Sequence, residues 1–195
     1  MKSFGHAVQV RNAMIDRTPG KGLSTIQTPE RRSATVRPVS TQEIDAATRL
    51  FERDPGWGSF YGEKFRREAA AALRVSPATM HGCFLSNGTV VAVGGAFKEP
   101  FDYAYWSISW IFVDVDARGH GFGKLIVDSL IAHARNEQLK SHNPNCRILL
   151  STTNEVAGFY EQQWGFRSIL TGPLPDEYLM SLDVVGPGLP IRKSG

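Results

Sequence analysis

The sequence predicts an α/β fold built on one mixed β-sheet, and three observations support this prediction. Short runs rich in β-branched and aromatic residues alternate with segments of helical periodicity. The dipeptide Asn87-Gly88 between two apolar runs is a strong signal for an antiparallel hairpin. Farther along, a strand, a glycine-rich turn, a helix and a buried strand follow one another as in a parallel βαβ unit.

Elements of the first half follow from local patterns. In order they are a strand (34–38), a helix (40–54), a second helix (59–75) and the two hairpin strands (81–86 and 89–97). Ser40 or Thr41, with Glu43 close behind, is a capping signal for the first helix, and the DPGWG segment ends it. The second helix is expected to turn six residues toward the core: Phe60, Tyr61, Phe65, Ala69, Ala72 and Leu73.

The second half predicts a crossover followed by two closing strands. In order it contains a long strand (104–115), a helix from the glycine-rich turn to about residue 140, a buried strand (146–152), a short helix (154–164) and two strands (166–172 and 178–184). Asn154 is the expected cap of the short helix. The predicted order is therefore βααβββαβαββ, with seven strands and four helices.

Length and composition fit a single domain of residues 34–185 between two tails, 1–33 and 186–195. The chain has 195 residues, 42% of them hydrophobic, and no apolar run approaches the length of a membrane span. The first tail lacks periodicity and the apolar core of a signal peptide. Cys83 and Cys146 lie far apart without a histidine cluster, so we expect reduced cysteines, no metal site and a cytoplasmic protein that does not enter a membrane.

Charge is distributed unevenly along the chain. The formal net charge is +3, yet seven basic side chains lie within residues 1–37 and two more in the last residues. Residues 38–185 keep 13 basic against 17 acidic side chains. A nucleic-acid-binding domain usually carries positive charge on its folded body, so we expect no nucleic-acid partner, and the acidic body favours a cationic one.

The segment VDVDARGHGFGKLIVDSL (113–130) concentrates three glycines within five residues at the start of a helix. Glycine lacks the Cβ that would keep a ligand from the backbone, and it tolerates positive φ. The helix adds unpaired N–H groups and the positive end of its dipole. The turn therefore favours a phosphate or diphosphate, with an ordinary surface connection as the alternative.

Two common phosphate-binding motifs are excluded. The dinucleotide pattern G-x-G-x-x-G fails because Lys124 occupies its last position after Gly119 and Gly121. The P-loop fails because Arg118 stands where its first glycine belongs, and Leu125 replaces the hydroxyl residue that binds Mg²⁺. Magnesium chemistry is therefore not expected.

The pattern Arg118-x-x-Gly121-x-Gly123 instead resembles the signature [R/Q]-x-x-G-x-[G/A] of the GNAT superfamily of N-acetyltransferases. The run FYEQQWGF (159–166) is similar to the second signature of that family, F-Y-x-x-x-G-F, with one residue more. The predicted element order also matches, over roughly 34–185. The resemblance implies a mixed, mostly antiparallel sheet of six to seven strands, flanked by about four helices and split into a V at a β-bulge.

The resemblance also implies that acetyl-coenzyme A is bound in this V. Backbone donors of the glycine-rich turn would hold its diphosphate: Arg118, Gly119, His120, Gly121, Phe122, Gly123 and Lys124. Backbone groups of Ile111, Phe112 and Val113 would pair with its pantetheine arm like an added strand, while their side chains pack in the core. Asn154 would bond the same arm.

The implied reaction is a direct attack of an amine on a thioester, and the chain has neither a defensible Ser-His-Asp order nor a base beside a cysteine. Tyr160 is the candidate acid that protonates the leaving thiolate; because four residues separate FY from GF, Glu161 is the alternative. No general base is assigned, since residues 104–113 of the long strand include no carboxylate. Candidates for a water relay are Tyr105, Ser107 and Ser109, with Glu99 and Asp102 at the entry of the strand.

Similar enzymes build the acceptor site from the first two helices and the loop before the last strand. In this chain those segments carry aromatic and acidic residues, namely Asp54, Trp57, Tyr61, Asp176 and Glu177. Carboxylates beside aromatic rings suit a small cationic amine such as an aminosugar, an aminoglycoside or a polyamine. Acetylation of a protein N-terminus or lysine and a non-catalytic acyl-coenzyme A-binding regulator are the alternatives, and a homodimer is left open.

Overall fold

The chain is described by a computed structural model over residues 34–74, 78–99, 104–171 and 177–186. The strands are β1 (Thr35–Pro38), β2 (Thr79–Phe84), β3 (Val90–Lys98), β4 (Tyr105–Val113), β5 (Cys146–Thr153), β6 (Arg167–Thr171) and β7 (Glu177–Val184). The helices are α1 (Ile44–Arg53), α2 (Gly58–Ala72), α3 (Phe122–Leu139) and α4 (Asn154–Trp164). Short 3₁₀ turns at Thr41–Glu43 and Val115–Ala117 precede α1 and α3.

All seven strands form one sheet in the order β1-β2-β3-β4-β5-β7-β6. Neighbouring strands pair antiparallel except β4 and β5, which run parallel because α3 connects them as a crossover. The β2–β3 hairpin turns at Asn87-Gly88, where Gly88 has a φ of +83°. The predicted mixed, mostly antiparallel sheet with four flanking helices is confirmed.

Each face of the sheet is covered by one pair of helices. Helices α1 and α2 bury an aromatic cluster against β3 and β4, in which the Phe51 ring lies 4.7 Å from Phe65 and 4.3 Å from Phe112. Helices α3 and α4 cover the other face, where Ile126 and Leu130 are fully buried. Burying an aromatic or aliphatic side chain of this size contributes about 1.5–3 kcal/mol, so both faces stabilise the sheet that positions the site.

Strand β4 carries a β-bulge at Trp110. Opposite the β3 residues Val93 and Gly95 lie Phe112 and Ser109, so β4 contains one residue more than its partner over this interval. Trp110 has a φ of +58°, a value that side chains of this size rarely adopt. The bulge bends β4 and turns its far half away from the strand on its other side.

Beyond the bulge the sheet opens into a V between β4 and β5. These strands pair only through Tyr105–Ser107 opposite Arg147–Leu149, and they separate after that point. Strand β5 remains paired with β7 along its whole length. The split that the family resemblance implies is therefore present, and we call this opening the fork.

The structure differs from the sequence-based expectations in two local respects. Phe60, expected to face the core, is 72% exposed because the buried stripe of α2 runs through Gly62, Phe65, Ala69 and Ala72 and leaves Phe60 on the solvent side. Asn154 does not cap α4 but is its first helical residue, since Thr153 occupies the cap position with extended backbone.

The predicted tail 1–33 lies outside the described residues, as does all but the first residue of the predicted tail 186–195. The domain limits 34–185 therefore remain a prediction. Within the described ranges, no helix combines the length and the apolar character that a bilayer span requires.

Candidate functional site

The glycine turn before α3 presents open backbone. Gly119 and Gly121 have φ values of +78° and +80°, and Gly121 is the cap residue of the helix. No side chain among the described residues caps this end, so the first N–H groups of α3 have no intrahelical acceptor and no side-chain acceptor. Positive helix dipole and unpaired donors coincide here, as in known anion sites.

Glycine is needed at positions 119 and 123 of the turn for two different physical reasons. A Cβ at Gly119 would meet no atom within 4 Å, so this position borders free space in which a ligand can approach the backbone. A Cβ at Gly123 would lie 3.3 Å from the Val113 side chain, so this glycine lets α3 pack closely on β4. A turn that is open and uncapped in this way fits a diphosphate group.

Polar side chains of the turn are engaged within the protein. The Nδ1 atom of His120 lies 2.9 Å from the Arg118 carbonyl oxygen, and the His120 ring stacks on Phe122 at 6.2 Å. Lys124 pairs with Asp128 at 2.8 Å, and Trp164 donates a hydrogen bond to the same carboxylate at 2.7 Å. This contact ties the beginning of α3 to the end of α4.

Arg118 directs its side chain away from the turn and into the body. Its guanidinium forms an ion pair with Asp54, and its Nε donates to the Val113 carbonyl oxygen at 3.3 Å. The Asp54 carboxylate is 7% exposed and also accepts the Gly56 N–H at 2.7 Å. Asp54, expected in the acceptor site, therefore holds the α1–α2 connection against the glycine turn.

A second ion pair lies beside the first. Arg53, the last residue of α1, pairs with Asp114, whose carboxylate is 7% exposed and also accepts the Asp116 N–H at 3.0 Å. Sequence analysis missed both pairs, since their partners lie 61 and 64 residues apart. In the sequence, the basic residue precedes the acidic one in Arg53-Asp54, whereas Asp114 precedes Arg118 in the later segment.

The open edge of β4 borders the fork. Side chains of Ile111 and Phe112 are buried in the cores on opposite faces of the sheet, and Val113 packs against the α3 side. Backbone groups of β4 that point toward β5 beyond Ser107 have no strand partner in the described part of the chain. These backbone groups border the fork, next to the three residues that the sequence analysis predicted to pair with the pantetheine arm.

Tyr160 lies inside the domain and Glu161 outside it. The Tyr160 ring is 1% exposed and packs against Trp164 at 5.7 Å and Phe166 at 5.9 Å. Burial raises the pKa of Tyr160 above its usual range, so the phenol keeps its proton at neutral pH. Helix α4 continues without a bulge to Trp164 and ends at Gly165, so the extra residue of the second signature lies in regular helix. Asn154 is exposed at the start of this helix, where β5 ends.

Two pairs of a carboxylate and a serine lie on the sheet face that also carries α1 and α2. Ser107 on β4 donates to Glu99 directly after β3, and Ser151 on β5 donates to Glu177 at the start of β7. The cross-strand pairing of Ser107 with Leu149 places both serines on the same face. Glu177 was expected in the acceptor site; Ser151 was missed, although alternation along CRILLSTT points its odd-numbered positions to one face.

Aromatic residues border this face at the beginning of α2. The Trp57 ring lies 4.7 Å from Tyr61 and 5.7 Å from Phe112, which connects the α1–α2 loop to the open part of β4. Phe60 extends the aromatic surface into solvent. Asp176, the remaining residue expected in the acceptor site, lies outside the described residues.

Known proteins share the sequence features and the fold. A model of the acetyltransferase (GNAT) family matches residues 44–166 of the chain. The ribosomal-protein-S18-alanine N-acetyltransferase from Escherichia coli is similar in structure, with a TM-score of 0.62 and 16% identity over 80% of this chain and 96% of that chain. Ard1 from Thermoplasma volcanium gives a TM-score of 0.62 and 17% identity over 79% and 99% of the two chains.

A third similar structure contains a ligand. The structure of yncA from Salmonella typhimurium, which includes its cofactor acetyl-CoA, gives a TM-score of 0.60 and 15% identity over 77% of this chain and 93% of that chain. At these identities the likeness concerns the fold. A comparison with curated protein sequences finds no match.

Proposed function

The chain belongs to the GNAT acetyltransferase family, whose members are acetyl-CoA-dependent N-acetyltransferases, and on this premise we propose that it acetylates the primary amine of a small cationic acceptor. Aminosugars, aminoglycosides and polyamines are the acceptor classes that combine such amines with a positive charge. The proposal rests on the two carboxylate–serine pairs, Glu99–Ser107 and Glu177–Ser151, which put negative charge on one face of the sheet beside the fork.

The coenzyme side of the site is assigned to backbone groups. Donors from Gly119 to Lys124 at the start of α3 hold the diphosphate, and the open edge of Ile111–Val113 pairs with the pantetheine arm. Asn154, at the exposed start of α4, is assigned to the same arm. Acetyl-coenzyme A supplies an activated acetyl group carried on a thiol leaving group.

The remaining assignments concern proton transfer and orientation. Tyr160 retains its proton because burial raises its pKa, and it donates this proton toward the departing sulfur. The Arg118 side chain contributes to orientation by pairing with Asp54, and this ion pair holds the glycine turn against the α1–α2 connection. The residues assigned to contact the acceptor are Glu177, Trp57 and Tyr61, because a carboxylate and aromatic rings suit a cation.

The acceptor class is tested by measuring thiol release from acetyl-CoA with a panel of amines. We expect activity with kanamycin, glucosamine or spermidine, and none with their fully N-acetylated forms. Activity confined to peptides with a free N-terminus or a lysine would replace the small acceptor with a protein one. In that case an exposed apolar surface, such as that of Phe60 on α2, would be the first place to search for peptide contacts.

A further inference from the structure

Glu177 has one engaged and one unengaged carboxylate oxygen. Its Oε1 accepts the hydroxyl hydrogen of Ser151. Its Oε2 is buried from solvent and has no hydrogen-bond partner within the described residues, and the same is true of the Thr153 hydroxyl on the opposite strand. A buried carboxylate oxygen without a donor is costly, which points to a donor that does not come from these residues.

Both groups lie beside the opening of the sheet. Ser107 and Leu149 form the last rung between β4 and β5, and Ser151 lies two residues beyond it on the same face. Thr153 lies two residues farther and is the cross-strand partner of Glu177. The unengaged oxygen therefore belongs to a group of polar side chains on β5 and β7, beside the fork.

Other described carboxylates near the fork already have partners within the protein. Asp54 is paired with Arg118, and Glu68 accepts the Trp110 indole N–H at 2.7 Å. Glu99 accepts from Ser107, which lies on the part of β4 that is still paired with β5. Of the described carboxylates, Glu177 carries the buried oxygen that has no partner, and it does so in the open part of the sheet.

We propose that Glu177 is the general base of the reaction, with Ser151 as a positioning residue that orients its carboxylate. This inference rests on the proposed function, since it needs a protonated amine as acceptor. The ammonium donates one N–H to Oε2 and transfers that proton to the carboxylate. The nitrogen lone pair then forms the C–N bond to the acetyl carbon while the C–S bond breaks. Tyr160 protonates the departing thiolate and is reprotonated by the second nitrogen proton, and Glu177 returns its proton to solvent.

The base role is tested with amines of similar shape and different pKa. Ethylamine is protonated at pH 7.5, whereas 2,2,2-trifluoroethylamine is almost entirely neutral and needs no base to release its lone pair. We expect Glu177→Gln to lower kcat for ethylamine about 10²-fold, and to lower it about threefold or less for the fluorinated amine. Ser151→Ala should lower kcat for ethylamine by about tenfold or less, because the carboxylate remains but is less well oriented.

A binding measurement supplies a readout apart from activity. Ethylammonium titrated into the wild-type protein should shift the amide NMR signals of Ser151 and Thr153, and these shifts should be absent in Glu177→Gln. Asp183→Asn is the matched control, since it removes a carboxylate from the same strand at its exposed pair with Arg147, where β5 is still paired with β4. This control should retain both activity and the NMR shifts.

The outcomes separate this inference from the proposed function. Unchanged kcat for ethylamine in Glu177→Gln, or an equal loss with both amines, would overturn the base role and leave the amine acetyltransferase intact. Loss of affinity alone, with kcat preserved at saturating ethylamine, would also overturn it. A wild-type protein that binds coenzyme A but releases no thiol with any amine would refute the proposed function and this inference together.

Discussion

At the scale of single residues, Trp110 has a backbone conformation that its side chain disfavours. A non-glycine residue in the left-handed region costs about 1–2 kcal/mol, and the neighbours of Trp110 offset this cost. Its indole N–H donates to Glu68 at 2.7 Å, and its ring packs edge-on against Phe51 and Phe65 at 5.7 Å each. Interactions on the α1–α2 face therefore maintain the bulge that opens β4.

Gly121→Asp tests the glycine turn at the residue scale. Aspartate would put a side chain and a negative charge at the cap of α3, so coenzyme A affinity should fall at least about 100-fold. The measurement is the coenzyme A dissociation constant by calorimetry. Gly88→Asp is the control, because Gly88 has a nearly equal φ of +83°, has open space around its Cβ position and lies in the hairpin turn. Equal affinities in the two variants would remove the diphosphate assignment.

Tyr160→Phe tests the acid at the same scale. The change removes the hydroxyl and keeps the ring that packs against Trp164 and Phe166. We expect kcat to fall about 10²-fold and the coenzyme A dissociation constant to change less than about twofold, because the role proposed for the hydroxyl is to protonate the leaving group. Steady-state thiol release measures both effects. Full activity in the variant would mean that water or another residue, and not Tyr160, donates the proton.

At the scale of elements, two ion pairs join the end of α1 to the connection between β4 and α3. Both carboxylates, Asp54 and Asp114, are 7% exposed, so each pair is shielded from water on its acidic side. Removing one partner of a buried pair leaves the other charge uncompensated. The α1–α2 loop and the glycine turn are therefore expected to lose their order together.

Asp54→Asn tests this coupling between elements. The free energy of unfolding should fall by about 3 kcal/mol, because Arg118 would lose its carboxylate. Coenzyme A affinity should fall as well, since Arg118 also holds the end of β4 through the Val113 carbonyl oxygen. Asp183→Asn, in the exposed pair with Arg147, should cost less than about 1 kcal/mol. Urea denaturation and calorimetry measure the two effects, and a destabilised variant with unchanged affinity would contradict the coupling.

At the scale of the whole molecule, acid sensitivity is expected where the sheet packs against α3. His81 on β2 lies 2.7 Å from the Ser129 hydroxyl, and its ring faces His133 at 5.6 Å. Burial, followed by the charge of His133, lowers the pKa of His81 to about 4. The unfolded chain takes up this proton near the ordinary pKa of about 6.5, whereas the folded protein resists it.

The sign of the resulting prediction follows from this difference. The contribution of His81 to stability is complete above pH 6.5 and is lost as the pH falls toward 4. His81→Gln should therefore flatten the dependence of the unfolding free energy on pH between 6.5 and 4.5, as measured by urea denaturation. Glu43, whose pKa is lowered to about 2 chiefly by Arg37, should lose its contribution only below pH 4.5. An unchanged slope in the variant would contradict this role of His81.

The sequence was sufficient for features that depend on near neighbours. Element order, the hairpin at Asn87-Gly88 and the glycine turn follow from periodicity and from residues a few positions apart. The Arg118–Asp54 pair could not be predicted, because it depends on how α1 packs against a connection 64 residues away. The Ser151–Glu177 contact depends on the register of β5 with β7, which local propensity does not specify.

The fork has one further consequence for the order of events. Strands β4 and β5 separate beyond Ser107 and Leu149, so the gap between them borders both faces of the sheet. Two molecules that approach from opposite directions do not exclude one another, so neither must depart before the other arrives. Initial-rate plots at varied concentrations of both substrates should therefore give intersecting lines.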